Sequence, residues 1–342
     1  MGGVVRSSEE GIFQGMSRNE GKRTSASGWA ERIEQTHARI EPLIRRTEVT
    51  HAPEIAPDFA GKLAFKLEQR QRTGSFKLRG AASRILALSG GESAAGVTTS
   101  SMGNHGMAVA WAGREAGVPV EVFVSPHVSP DRLERMHELG AESRVVGTSV
   151  LDAEIAARAA AADSGKVYVS PYNDPWVVAG QGTVGVELLE DLPDLDAVFI
   201  AVGGGGLISG IGAYLQERVP EVEIVGCWPE HAPALHECLR QGRIVEVPER
   251  PTLSESTAGG VEDGSITFDL ARRVIDRSVL VPEEEILAAM RLARDRRGWW
   301  IEGAAGVALA AFLRHRRDYD GREVAVVLCG GNLSSDVRAR LS

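Results

Sequence analysis

The chain has 342 residues, 43% of them hydrophobic and 25% charged, with a formal net charge of −9. That length allows a large core divided into two lobes, and the acidic balance argues against nucleic acid as a partner, because no basic run or zinc-type Cys/His spacing offsets it. Three cysteines, Cys227, Cys238 and Cys329, are too few for a disulfide scaffold and fit a reducing, cytoplasmic setting, and no run of about 18 apolar residues predicts a membrane span.

Residues 1–28 are rich in Gly, Ser, Arg and Glu without the apolar core of a signal peptide, so they are expected to be a disordered tail or extension. An amphipathic helix is predicted over 29–43, and the alternation in Lys62-Leu63-Ala64-Phe65-Lys66-Leu67 predicts a strand over 61–68. From there the pattern turns regular. Strands at 96–100, 120–124, 143–146 and 167–170 alternate with helices at 106–116, 130–139 and 151–162. A second series places strands at 197–202, 223–228 and 323–329, with helices at 176–189, 207–218, 234–240, 267–275, 282–294 and 304–314. Short apolar strands separated by helices of this length predict an α/β fold of two lobes, each an open, mostly parallel sheet with helices on both faces. The large lobe is expected to comprise 29–94 and 174–342, with a smaller lobe, 95–173, inserted into it. Ligands of such folds sit in the cleft between the sheets.

Four stretches carry chemistry. In Thr73-Gly-Ser-Phe-Lys-Leu-Arg-Gly-Ala81, Gly74 and Ser75 supply turn and N-cap chemistry, and an apolar helix follows. Lys77 stands at the positive end of that helix against apolar neighbours, which disfavours the ammonium and makes a nucleophilic amine near neutral pH. Gly203-Gly204-Gly205-Gly206-Leu207 follows an apolar strand and opens a helix, so its backbone N–H groups can converge on a phosphate. No Gly-Lys-Ser/Thr follows, and Gly210 comes one place late for a dinucleotide fingerprint. Ser100-Ser101-Met102-Gly103-Asn104-His105-Gly106 lies at another strand-to-helix junction and offers hydroxyls, an amide and backbone donors to a carboxylate. His105 reads as a structural histidine. Cys329-Gly330-Gly331-Asn332 ends a very apolar strand.

In order and spacing, these four motifs resemble the fold type II pyridoxal-phosphate enzymes of the tryptophan synthase β-like fold, in their threonine/serine dehydratase and serine racemase branch. Ala179-Gly180-Gln181-Gly182-Thr183 and Glu302-Gly303-Ala304-Ala305-Gly306 also look like family segments, and the resemblance spans roughly 31–336. It implies pyridoxal 5'-phosphate held covalently by Lys77, with Phe76 against its ring, Gly203, Gly204, Gly205, Gly206 and Leu207 around its phosphate, Asn104 at its hydroxyl and Cys329 at its pyridine nitrogen. Lys77 would also move the Cα proton. Ser100, Ser101, Met102, Gly103, Asn104 and His105 would meet the substrate carboxylate side, and Asn173 would line the pocket. The implied activity is an ammonia-lyase turning L-threonine, L-serine or a related β-hydroxy amino acid into a 2-oxo acid and ammonia, in a homodimer or higher homo-oligomer.

The chain also departs from the family pattern. Where cation-binding members carry carboxylates after the strand ending near Gly226, Trp228 and Ala234 occupy those positions with only Glu230 nearby, so no metal site is expected. Met102 stands where racemases present a serine. With the sequence ending soon after Asn332, the regulatory domain of the biosynthetic, isoleucine-inhibited threonine dehydratases is not expected. A racemase, a β-replacement synthase and, from another class, a non-catalytic ligand sensor are the alternatives, and an intact Lys77 argues against the last. Tyr172 and Trp176 flank Asn173 and either shape a pocket for a bulkier substrate or pack between lobes.

Overall fold

A computed structural model describes residues 13–14 and 28–341, so the expected tail lies outside the described residues except for Phe13–Gln14 and Gly28. That pair is a short strand, β1, at the edge of a seven-stranded sheet, antiparallel to β10 (Arg277–Val281). The sheet runs β1-β10-β9-β8-β11-β3-β2, where β2 is Val49–His51, β3 Lys62–Lys66, β8 Ala197–Ala201, β9 Glu223–Pro229 and β11 Glu323–Val327. Its five inner strands are parallel and its two edges antiparallel. A second, wholly parallel sheet runs β6-β5-β4-β7, with β4 Val97–Ser100, β5 Val120–Val124, β6 Glu142–Val145 and β7 Val167–Tyr168.

Helix α1 (Trp29–Ile40) ends two residues before Pro42, and a single 3-10 turn, Glu41–Leu43, replaces the last predicted turn. Around the sheets lie α2 (Lys77–Leu86), α3 (Gly90–Ala95), α4 (Asn104–Ala116), α5 (Pro130–Glu138), α6 (Val150–Ser164) and α7 (Pro175–Asp191). The chain continues through α8 (Gly206–Arg218), α9 (Ala234–Gln241), α10 (Ile266–Val274), α11 (Glu283–Arg297), α12 (Gly303–His315) and α13 (Ser335–Leu341). Strands β2 and β10 and helices α3 and α13 are absent from the sequence reading, because each is short and lacks a full period of apolar residues. None of the helices among the described residues is long and apolar enough to cross a membrane.

One core fills the space around the large sheet; a second joins Val97, Val120 and Val122 of the small sheet to Leu78, Ala81, Ala82 and Ile85 of α2 and to Ile40 and Ile44. Helix α2 therefore packs on both halves of the molecule. Strand β3 exposes Lys62 at its start and buries the rest of its length. Lys66 is fully buried, and its Nζ donates to Glu187 Oε2 at 2.6 Å and to the Thr47 carbonyl at 2.7 Å. Arg79 is equally buried and completes the cluster between Glu68 and Glu187.

Candidate active site

Three motifs meet because their strands are neighbours. Strands β8, β11 and β3 lie side by side and parallel, so Gly203, Cys329 and the approach to Lys77 leave the same sheet edge, where open parallel sheets place their ligands. The fourth motif leaves β4 of the other sheet, and α4 packs on α2 across the divide. Backbone bonds pin the lysine turn to the end of β11: Phe76 N–H donates to Cys329 O at 3.0 Å, and Gly331 N–H to Gly74 O at 2.9 Å. Ser75 is not the expected cap. Helix α2 starts at Lys77 with Phe76 in the N-cap position, and Ser75 is buried in an antiparallel bridge to Gly330, so attachment to β11 fixes the helix start in place of a side-chain cap.

Lys77 Nζ donates to the Pro171 carbonyl at 2.9 Å and lies 5.2 Å from the centroid of the Phe76 ring. Burial disfavours its ammonium and brings its pKa down to about 8, against the opposing pull of Glu302 and Cys329. The amine is therefore available near neutral pH.

Gly205 caps α8 with φ of +85°, a conformation that only glycine adopts without strain. At Gly204 the constraint is space, since an added Cβ would come within 2.4 Å of the Tyr172 ring. Side-chain-free backbone thus meets the positive end of a 13-residue helix, whose first N–H groups have no partner inside the helix.

Phe76, Lys77, Asn104, Gly203, Gly204, Gly205, Gly206, Leu207 and Cys329 all border one cavity of about 460 Å³, its open mouth included. These are all the residues expected on the cofactor side. Burial, first, and the neighbouring Glu302 push the Cys329 thiol well above its usual range, so it is neutral.

Ser256, Thr257 and Glu302 also line the cavity and were given no role from sequence. Glu302 precedes α12, is 6% exposed, and accepts from Asn104 Nδ2 at 2.8 and 3.0 Å and from Ser256 Oγ at 2.9 Å. Asn332 Nδ2 donates to Asn104 Oδ1 at 2.7 Å, so both ends of the Asn104 amide are oriented. Its only trace in the sequence is the Glu302-Gly303-Ala304 segment.

The expected substrate side is not assembled in the same way. Ser100, Ser101, Met102, Gly103, His105 and Asn173 are not walls of this cavity. Ser101 Oγ accepts from Gly103 N–H at 3.2 Å, closing the turn before α4. Met102 packs with the small-sheet core, and its sulfur accepts from Ser125 Oγ at 3.0 Å. Buried His105 lies 3.0 Å from the Val169 carbonyl through Nε2, and desolvation, with Lys77 nearby, holds its pKa down to about 3. It stays neutral. Asn173 departs furthest from expectation: its amide donates to Glu262 at 2.9 Å and accepts from Ile266 N–H at 3.0 Å, so it ties two segments together. Tyr172 does border the cavity, whereas Trp176 is sandwiched between Arg32 and Arg39, 4.4 and 4.6 Å from its ring.

Near the end of β9, Trp228 is fully buried with its ring 5.4 Å from that of His236; beyond the strand, Ala234 is buried and Glu230 is exposed. One carboxylate beside an indole is a poor seat for a hard cation, which needs several oxygens. Activity after exhaustive chelation is expected to equal activity with added Mg²⁺ or Ca²⁺; a large loss restored by metal would contradict this.

Residues 40–330 match the pyridoxal-phosphate dependent enzyme family. The chain belongs to that family. It is 36% identical over 311 residues to an L-threonine ammonia-lyase of Thermotoga maritima, a match covering 91% of this chain and 77% of the relative. A phenylserine dehydratase of Ralstonia pickettii is 34% identical over 304 residues, covering 89% and 93%. Among solved structures, maize serine racemase superposes with a TM-score of 0.86 at 28% identity, covering 91% of this chain and 95% of the other. The fold is that of the fold type II enzymes of this family. Its cofactor fits the cavity: a phosphate suits the glycine-walled α8 terminus, an aldehyde suits the Lys77 amine, and the neutral Cys329 thiol suits a pyridine nitrogen that need not be protonated.

Proposed function

We propose that this pyridoxal-phosphate enzyme is a metal-independent ammonia-lyase that converts L-threonine, L-serine or a related β-hydroxy amino acid into a 2-oxo acid and ammonia. The observation that carries this reading is that the Lys77 amine, the open α8 terminus and the neutral Cys329 thiol share one cavity. When bound, the cofactor supplies the electron sink that lets a Cα–H bond break. The chain supplies the rest. Residues Gly203–Leu207 would hold the phosphate, Lys77 would attach the cofactor and then take the Cα proton, and Glu302 keeps Asn104 turned toward the cavity. A neutral thiol at the ring nitrogen would leave a carbanion short-lived and favour departure of the β-hydroxyl. Ser100, Ser101 and the N-terminus of α4 would receive the substrate carboxylate once substrate draws the small sheet inward. The large lobe would then be 29–94 with 174–342, and the small lobe 95–173. A homo-oligomer in the cytoplasm belongs to the same reading, supported by three free buried cysteines and by Val145, Val150, Leu151 and Ile155 left exposed on the small sheet's flank.

A panel of β-hydroxy amino acids, including phenylserine, assayed for release of 2-oxo acid tests the reading. Turnover of at least one with equal ammonia is expected, and no turnover of any would overturn it.

Racemisation needs an acid on the face of Cα opposite Lys77, and the thioether of Met102 has no proton to give. Little or no D-serine should therefore form from L-serine, and Met102→Ser should gain measurable racemase activity. Chiral chromatography of a partly consumed reaction decides, since D-serine forming as fast as pyruvate would contradict the assignment.

A further inference from the structure

Between α9 and α10 the segment 242–265 carries no regular element except the 3-10 turn Glu255–Thr257, yet it supplies two cavity walls, Ser256 and Thr257. Its charges reach across to helices of the small sheet. Glu262 pairs with Arg158 of α6 at 2.8 Å, and Glu255 with Arg132 of α5 at 3.2 Å. Glu262 is also tied to the residues joining β7 to α7. Its carboxylate accepts from Asn173 Nδ2 at 2.9 Å, and its backbone N–H donates to the Tyr172 hydroxyl at 2.9 Å. The preceding residue, Pro171, offers its carbonyl to Lys77, and the Tyr172 ring faces Gly204. A continuous line of contacts thus runs from a small-sheet helix, through Glu262, to the reactive lysine and the glycine loop.

We propose that Arg158 and Glu262 are positioning residues of the reaction. Their ion pair fastens the segment 242–265 to α6 and so holds Tyr172 and the Pro171 carbonyl against the cavity with the two halves of the molecule closed. Both side chains are partly exposed, 39% and 32%, so the pair is a reversible surface tie that salt can weaken. Glu154, 2.9 Å from Arg158, and the Tyr168 ring, 4.2 Å from its guanidinium, keep the arginine in reach of its partner. Without Glu262 the arginine retains those two contacts, so its loss opens the tie without stranding a buried charge. The effect on turnover rests on the lyase reading above, whereas the tie itself does not.

Two measurements on the cofactor-loaded protein separate the two. The first is hydrogen–deuterium exchange of peptides containing the Glu262 amide. Arg158→Met and Glu262→Gln should each exchange there severalfold faster than the parent, and the double variant should exchange no faster than the faster of the two. The second is steady-state kinetics. The same single variants should raise KM about two- to fivefold with kcat little changed, the double variant should raise it no further than the single ones, and the parent alone should show a KM that rises with salt. Unchanged exchange in both single variants, or effects that simply add in the double variant, would overturn the proposal. Changed exchange with no turnover of any substrate would leave the tie standing and remove only the lyase reading.

Discussion

Lys77→Ala is expected to lower turnover by about a thousandfold or more while leaving a folded chain, because one side chain is asked both to attach the cofactor and to move the Cα proton. The fold should tolerate the change. Lys77 opens α2, its one hydrogen bond is to a carbonyl, and alanine is the best helix former. The variant should still take up cofactor without a covalent bond, since the glycine-walled α8 terminus and Asn104 are untouched. Circular dichroism and 2-oxo acid release measured side by side check this, and activity retained within about tenfold would remove Lys77 from the chemistry.

Arg79→Met should cost on the order of 3–5 kcal/mol of stability, the usual penalty for removing one partner of a buried ion cluster. Its Nε and NH2 donate to Glu68 at 2.9 and 2.7 Å, and its NH1 and NH2 to Glu187 at 2.7 and 2.8 Å, with every member of the cluster fully buried. Without the guanidinium, two carboxylates share Lys66 alone. Burial by itself would push the Glu187 carboxyl up, but Arg79 and Lys66 outweigh it and hold its pKa down to about 2. The parent should therefore keep this contribution above the ordinary carboxylate range, and lose it as pH falls from there toward 2. Urea titrations at neutral pH give the comparison. A loss below about 1 kcal/mol would show that the cluster is not what fixes α2.

The alternation of strands and helices was legible because the inner strands of both sheets are short apolar runs separated by amphipathic segments. Strand β10 escaped notice for the opposite reason. Arg277-Ser-Val-Leu-Val is brief, follows a helix directly, and earns its place only by pairing with β9. Local pattern is also silent on Lys66, which a distant carboxylate, Glu187, holds inside. The residues expected on the cofactor side could be placed around one cavity because most are glycine backbone or stand at the end of a strand. Glu302 and Asn173 could not. The position of Glu302 among Asn104 and Ser256, and the capture of Asn173 by Glu262, depend on contacts between segments 46 to 198 positions apart, which no local period encodes. Met102 and Trp228 were informative for a simpler reason, since a thioether and an indole lack the proton donor or the oxygen ligands that other chemistry needs.

The most direct measurement uses the chain's five lysines, Lys22, Lys62, Lys66, Lys77 and Lys166. The protein loaded with pyridoxal phosphate is reduced with borohydride, digested, and mapped by mass spectrometry. The account predicts a pyridoxyl group on the peptide containing Lys77, with loss of the visible absorption band. A label on another lysine, or none on a chain that turns over β-hydroxy amino acids, would contradict it.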